Sequence, residues 1–418
     1  MAVYLDHNAT SPATPEHLAK LFALLQNVSA NPSSPHAPGR GANVALTDCR
    51  KSIAQSLSCE PAEIVFVSGG SEANNLATAG VLRALSSDLS GLHAVTSAIE
   101  HPSVLEPLRF LESNAGLQLT ILPVNSEGRI ILSELVASIR ENTALVSIMV
   151  ANNETGAVQP MKDFAEWLHQ ARWSKIKPGL NWRENSVHHW PEWAHGLAPE
   201  INQAHLQNLH LHVDAVQAYG KLPSELWNSV GFDSVSLCAH KLGGVPGVGV
   251  LLLRRGRKFE PLIRGGAQER SRRAGTENLP GILSFGIVAQ AVSQPEWWQD
   301  YGRQLKRLER LREVFRSFEG VKINSPETNC LPNTFNVSVD LPHLKGEDVL
   351  MELDLRGFYL SSGSACSSGV NRPSHVLLAL GRSVREASNG LRFSLSAATT
   401  DQELDHLCQA LSDIFLKR

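Results

Sequence analysis

"EIVFVSGGSEANNLATAGVLRAL", residues 63–85, decides the fold. Its first third, "EIVFVSGG", is a short apolar run that stops at two glycines, the pattern of a buried strand entering a tight turn. The remainder reads as a helix that starts at the turn. The same alternation continues outward. "HAVTSAIEH" (93–101), "QLTILPV" (118–124), "TALVSIMVANNETG" (143–156), "LHLHVDAV" (209–216), "SVSLCAHK" (234–241) and "GVGVLLLRR" (247–255) are further strand candidates, with helical stretches between several of them. Strand–helix alternation predicts an α/β layer fold with a largely parallel sheet. Beyond about residue 295 the style changes. A charged amphipathic helix, "YGRQLKRLERLREVFRSF", precedes the strand "TFNVSVD", the helix "GEDVLMELDLRG", "YLSSGSAC" (strand into loop), the strand "GLRFSLS" and a terminal helix. This predicts a smaller α+β domain.

The chain has 418 residues, 42% of them hydrophobic, so two domains with sizeable cores are expected. A net charge of -3 and the lack of a polybasic run argue against nucleic acid as a direct partner. No apolar stretch reaches bilayer length, and "MAVYLDHNATSP" carries no secretory signal, so no membrane association is expected. The six cysteines are scattered without a CxxC pair, which argues for a reducing, cytoplasmic setting rather than disulfides or zinc.

One segment breaks the pattern. Residues 173–208 have no clean period and hold four of the eight tryptophans, Trp173, Trp182, Trp190 and Trp193. Compact α/β units rarely use connections this long, so the segment reads as an insertion. It enters the amino end of the strand that closes at Asp214, which predicts a place away from ligands bound at the carboxyl ends. A self-packed cap and a docking surface are both open for it. His188, His189 and His195 match no metal-ligand spacing.

Several residues carry chemistry. Lys241 follows a strand directly; taken alone, it reads better as a strand-end surface lysine, but a desolvated lysine there suits Schiff-base chemistry. Asp214 ends another apolar strand, where it could cap a helix or face the ring nitrogen of pyridoxal phosphate. "SGGSEANN" puts Gly69, Gly70 and Ser71 at a strand–turn–helix junction, which is either a capped helix or a phosphate cradle. It is neither a Walker A loop nor GxGxxG, so ATP is not expected. "SSGSACSSG" (361–369) places Cys366 among small polar residues, unlike a buried structural cysteine.

These pieces occur in one order. With "YLDHNATSP", "NPSSPHAPGR", "IEHPSV", "SIMVANNETGAVQP", "HVDAVQAYGKLP", "AHKLGG", "RGGAQERSRRAGTEN", "LPNTFNVS" and "LRFSLS", the chain resembles the class V aminotransferase-like pyridoxal phosphate enzymes, and within them the cysteine desulfurases. The resemblance covers nearly everything outside the insertion. It implies pyridoxal phosphate fold type I, with a large cofactor domain over 16–295 and a small domain made of 1–15 and 296–418. Lys241 is then the lysine that carries the cofactor, Asp214 the partner of its ring nitrogen, and His101 the stacked histidine that assists proton transfer. Gln217 is implied to face the ring oxygen and Asn153 to lie near cofactor and substrate carboxylate. Gly70, Ser71, Cys238 and His240 fall at phosphate-binding positions. Thr276 is implied to reach the phosphate of a neighbouring subunit, which requires a homodimer. Arg392 is implied to clamp the substrate carboxylate. Two departures stand out: Cys238 replaces a serine often found there, and "KLGGVPGVG" lacks the tyrosine and second basic residue of related loops.

The resemblance implies conversion of L-cysteine to L-alanine with a persulfide on Cys366, passed to a sulfur-acceptor protein such as an iron–sulfur scaffold or a thiolation carrier, with iron–sulfur assembly, tRNA thiolation and thiamine-type pathways all open. A selenocysteine lyase, a plain class V aminotransferase and an inactive partner on the same scaffold are the alternatives.

Overall fold

The computed structural model describes residues 2–28, 30–173, 191–197, 201–362 and 372–416. Cys366, His188, His189, Trp182 and Trp190 lie outside these residues. Seven strands form the larger sheet: β1 (Ile64–Val67), β2 (His93–Ser97), β3 (Gln118–Leu122), β4 (Thr143–Met149), β5 (His210–Asp214), β6 (Ser234–Cys238) and β7 (Gly249–Leu253). They lie in the order β1-β7-β6-β5-β4-β2-β3. β7 is antiparallel to both neighbours and every other pairing is parallel. All but β3 are buried along their whole length, as strands covered on both faces must be. That burial explains why β1 and β7 read as unbroken apolar runs, while β2, β4, β5 and β6 mix apolar residues with buried His, Ser and Thr. The parallel strands end at one edge of the sheet, where ligands of such folds bind.

The helices that cover the sheet include α1 (Ala37–Ser56), α2 (Pro102–Ala115), α3 (Met161–Trp173) and α4 (Leu279–Val292). α1 and α4 approach closely because Gly286 has no side chain: a Cβ there would lie 2.5 Å from Cys49 Sγ. At the foot of the sheet, Arg172 on α3 is buried and pairs with Asp233 at 2.8 Å, while Asp233 also accepts from Leu211 N at 2.7 Å. This fixes the entry of β5.

A second sheet consists of β8 (Lys322–Ile323), β9 (Thr334–Ser338), β10 (Ser361–Ser362) and β11 (Gly390–Ser394), antiparallel in the order β10-β11-β9-β8. α5 (Tyr301–Arg316) and α6 (Asp401–Leu416) contribute Leu311, Phe315, Leu407 and Leu411 to its core, with Phe335 and Phe393 from the strands. The amino terminus joins this second core: Val3 and Leu5 are buried in it, and Val3–Tyr4 pairs in parallel with Phe358–Tyr359. The fold is thus a large α/β unit with a smaller α+β unit. Among the described residues, no helix is long and apolar enough to cross a membrane.

The described flanks of the 173–208 segment neither form a separate cap nor stand exposed as a whole. Trp193 stacks edge-on against Trp167 at 5.7 Å, and Ala194, Leu197, Ile201 and Leu206 belong to the main core. Trp173 is exposed.

β7 also shapes the turn after β1. A Cβ on Gly249 would lie 2.5 Å from the Gly69 carbonyl carbon and 2.6 Å from its Cα, a backbone contact that cannot yield by side-chain rotation. Gly249→Ala is expected to lower stability by about 1–3 kcal/mol through overpacking. Urea unfolding measures this; an unchanged midpoint would show that the turn moves aside freely.

Candidate active site

A cavity of about 200 Å³ opens beside the carboxyl ends of the parallel strands. Each neighbouring loop supplies part of its wall. The turn after β1 brings Gly70 and Ser71, the first residues of a helix (Gly70–Asn75) whose initial N–H groups have no acceptor within the helix. His101 precedes α2, and Asn153 follows β4. Asp214 is the last residue of β5, with Gln217 in the turn beyond it, and Cys238 is the last residue of β6. His240 and Lys241 sit in the 3₁₀ turn His240–Leu242. Arg392 reaches the cavity from β11 of the second sheet, and Asn8 and Ala9 from the amino-terminal segment. Thr276 is exposed and is not part of this wall.

The polar contacts define what each group can do. Asp214 accepts from Asn74 Nδ2 at 2.7 Å and from Val216 N at 2.9 Å, so both carboxylate oxygens are held. Asn74 Nδ2 also donates to Ser103 Oγ at 2.9 Å, and Ser103 Oγ lies 2.8 Å from His101 Nδ1. His101 Nδ1 further accepts from Ser103 N at 3.1 Å as the cap of α2. An Nδ1 that accepts a backbone N–H carries no proton, so the imidazole is the neutral Nε2–H tautomer. Burial lowers its pKa, with Asp214 opposing the shift and Lys241 and His375 adding to it. His240 is lowered to about 4 by burial and by Lys241 and Lys221. Burial pushes the Cys238 thiol up to about 11, so it faces the cavity as a thiol and a weak donor.

Lys241 Nζ donates to the carbonyls of Asn8 at 2.8 Å and Ala9 at 2.7 Å. Arg392 is buried; it donates from Nη2 to Asp6 Oδ1 at 2.7 Å and from Nη1 to the Asn153 carbonyl at 3.2 Å. Its Nε is buried with no hydrogen-bond partner. Arg392 thus lines the cavity and keeps one guanidinium N–H without an acceptor, which suits it to an anion. A lysine amine, a held carboxylate, a flat neutral imidazole and a helix start with free N–H groups together match the needs of a phosphorylated pyridine aldehyde, so the donor set fits pyridoxal phosphate.

The sequence reading did not single out Asn8, Asn74, Ser103 or Lys221. Asn74 lies inside the quoted "SGGSEANN", and a polar residue on the inner face of a helix that starts at a ligand turn was the available signal. Two buried acids were also missed. Glu154 accepts from Ser374 Oγ at 2.6 Å, and burial raises it to about 7. Glu100 accepts on Oε1 from Ser97 Oγ at 2.6 Å and Met149 N at 3.0 Å, while its Oε2 is buried without a partner.

The comparisons with known proteins agree with this geometry. The family model described as "Aminotransferase class-V" matches residues 3–174 and 197–407, and the chain belongs to that family. The unmatched stretch falls within the insertion. "Cysteine desulfurase IscS" of Dictyoglomus turgidum is 37% identical over 421 residues, covering 99% of this chain and 95% of the relative. "Cysteine desulfurase" of Cereibacter sphaeroides is 37% identical over 414 residues, with the same coverage. Among solved structures, a "NifS-like protein" superposes with a TM-score of 0.82 at 30% identity over the full length of both chains. "SspA in complex with cysteine" gives 0.73 at 30% identity, covering 95% of this chain and 100% of that one. Within its family the chain is a member of the cysteine desulfurases, and its fold is that of the type I pyridoxal phosphate proteins.

Glu100 gives a pH test of the site's interior. Burial raises its carboxyl from an ordinary 4.5 to about 8. The unfolded chain therefore releases a proton that the folded chain keeps across that window, and stability falls as pH rises through it. Glu100→Gln cannot titrate. Its stability relative to the parent is expected to rise from pH 5 to pH 8, by at most about 1.4 kcal/mol per pH unit. Urea unfolding at three pH values measures the trend; a constant difference would mean that Glu100 is ionised throughout.

Proposed function

We propose that the chain is a pyridoxal phosphate-dependent cysteine desulfurase. It converts L-cysteine to L-alanine and takes the sulfur as a persulfide on Cys366 for delivery to an acceptor thiol. One observation carries the reading: a single cavity gathers Lys241, Asp214, His101 and Arg392 from distant parts of the chain. The cysteine desulfurase relatives support it over most of the chain.

Lys241 holds the cofactor covalently, and the bound pyridoxal phosphate supplies an electron sink for the pair released at the substrate Cα. Asp214, fixed by Asn74 and Val216, keeps a proton on the ring nitrogen. The helix start at Gly70 and Ser71, with His240, receives the phosphate, and Cys238 adds a weak donor. Arg392 binds the substrate carboxylate, close to Asn153. Lys241 then takes and returns a proton at Cα, with neutral His101 beside it. The Cys366 thiolate attacks the substrate sulfur. An S–S bond forms, the C–S bond breaks with its electron pair left on carbon, and a proton completes alanine. Transfer of the outer sulfur to an acceptor thiolate restores Cys366.

We assign residues 16–295 to the cofactor unit, and 1–15 with 296–418 to the unit that carries Cys366. Thr276, exposed on its own subunit, completes the phosphate site of a second copy, which makes the working enzyme a homodimer. The acceptor is an iron–sulfur scaffold or a thiolation carrier.

The test is alanine and sulfide production from L-cysteine by the loaded protein with a small thiol reductant. Cys366→Ser is expected to keep the cofactor colour and lose sustained alanine formation. Full turnover by that variant would overturn sulfur transfer through Cys366, and amino transfer to a keto acid would point to an aminotransferase. Arg392→Ala is expected to keep the colour and weaken cysteine binding by about 1.5–3 kcal/mol, read from a substrate titration.

A further inference from the structure

Lys221 is a buried lysine that the mechanism above does not use. Only 9% of its surface is exposed. Its Nζ donates to two neutral acceptors, Asn8 Oδ1 at 2.7 Å and Gln217 Oε1. Burying a lysine without an opposing charge is costly. Burial, together with Lys241 and Arg392, holds its pKa well below the ordinary lysine value.

The geometric outcome of this arrangement is the orientation of one amide. Lys221 occupies the Gln217 carbonyl, so the Gln217 NH2 must turn the other way. One of its hydrogens goes to the Asn8 carbonyl at 3.0 Å. An amide NH2 has two hydrogens, and the second is left for the cavity that Gln217 lines. Reversing the amide would set its donors against those of Lys221.

We propose that Lys221 is a positioning residue that locks the Gln217 amide so that it presents an N–H to the ring oxygen of the bound cofactor. The inference rests on the cofactor reading given above. A donor at that oxygen favours its anionic form and lowers the proton affinity of the adjoining lysine linkage. Lys241, His101, His240, Asp214, Arg392 and Cys238 also face this region. All of them are unchanged in the variants that follow.

The experiment follows the visible absorbance of the loaded full-length protein from pH 6 to 10. Lys221→Met is expected to raise the midpoint of the spectral transition by about one pH unit, because the freed amide no longer holds its donor in place. In a Gln217→Ala background the same substitution is expected to add no further shift, since it acts through Gln217. Lys221→Gln is too short to reach both acceptors; it serves as a second variant if the methionine form does not fold, and the same rise is expected. An unchanged midpoint in a folded Lys221 variant overturns the inference. So does an equal rise in the Gln217→Ala background, which would assign Lys221 a charge effect alone. A parent protein that holds no borohydride-reducible lysine-linked cofactor overturns the reading of the site, and this inference with it.

Discussion

Asn8 uses every hydrogen-bonding atom it has. Its N–H donates to Ser394 Oγ, and its carbonyl accepts from Gln217 and Lys241. Its side-chain oxygen accepts from Lys221 and Asn333, and its side-chain nitrogen donates to the Asn153 carbonyl and Thr334 Oγ1. The residues just before it belong to the small core, while Gln217 and Lys241 line the cavity at the edge of the large sheet. One buried amide thus holds the seam between two separately packed cores. A buried polar network of this kind is specific because each member must be satisfied.

The seam also sets the electrostatics. Lys241 and Arg392 line the cavity together with Asp214; Arg392 pairs with Asp6, and Lys221 contacts the Gln217 side chain. The histidines are driven toward neutrality by burial and by these cations, and Glu100 and Glu154 stay protonated well above the ordinary range. The histidine rings and the two buried glutamic acids therefore add little charge of their own around the cavity.

Much of the fold was legible because burial on both faces leaves a simple trace. β1 and β7 are unbroken apolar runs, and glycines or polar residues mark their ends. The direction of β7 was not legible, since "GVGVLLL" has the same composition whichever way it pairs. Residues at strand ends, such as Asp214 and Lys241, stood out because a charge closing an apolar run is conspicuous. Asn8, Asn74 and Lys221 did not, because their partners lie tens to hundreds of residues away and nothing local announces them. Trp193 misled in the other direction. Its surroundings read as an irregular loop, yet its ring packs, partly buried, against the main core at Trp167, a contact only the tertiary packing reveals.

The short pairing of β10 with β11 places Ser361 opposite Arg392. Ser361–Ser362 is the last described stretch before the segment that contains Cys366. The chain returns at Ser374 and His375, which are tied to Glu154 and to the Glu100 carbonyl. Arg392, proposed above to hold the substrate carboxylate, and the root of the segment that contains Cys366 therefore share one rung of the ladder. A slip of one residue in that register would turn side chains to the opposite face of the sheet. For the proposed reaction the ladder acts as a ruler: the reach from the bound end of a substrate to the sulfur nucleophile is counted from a fixed mark.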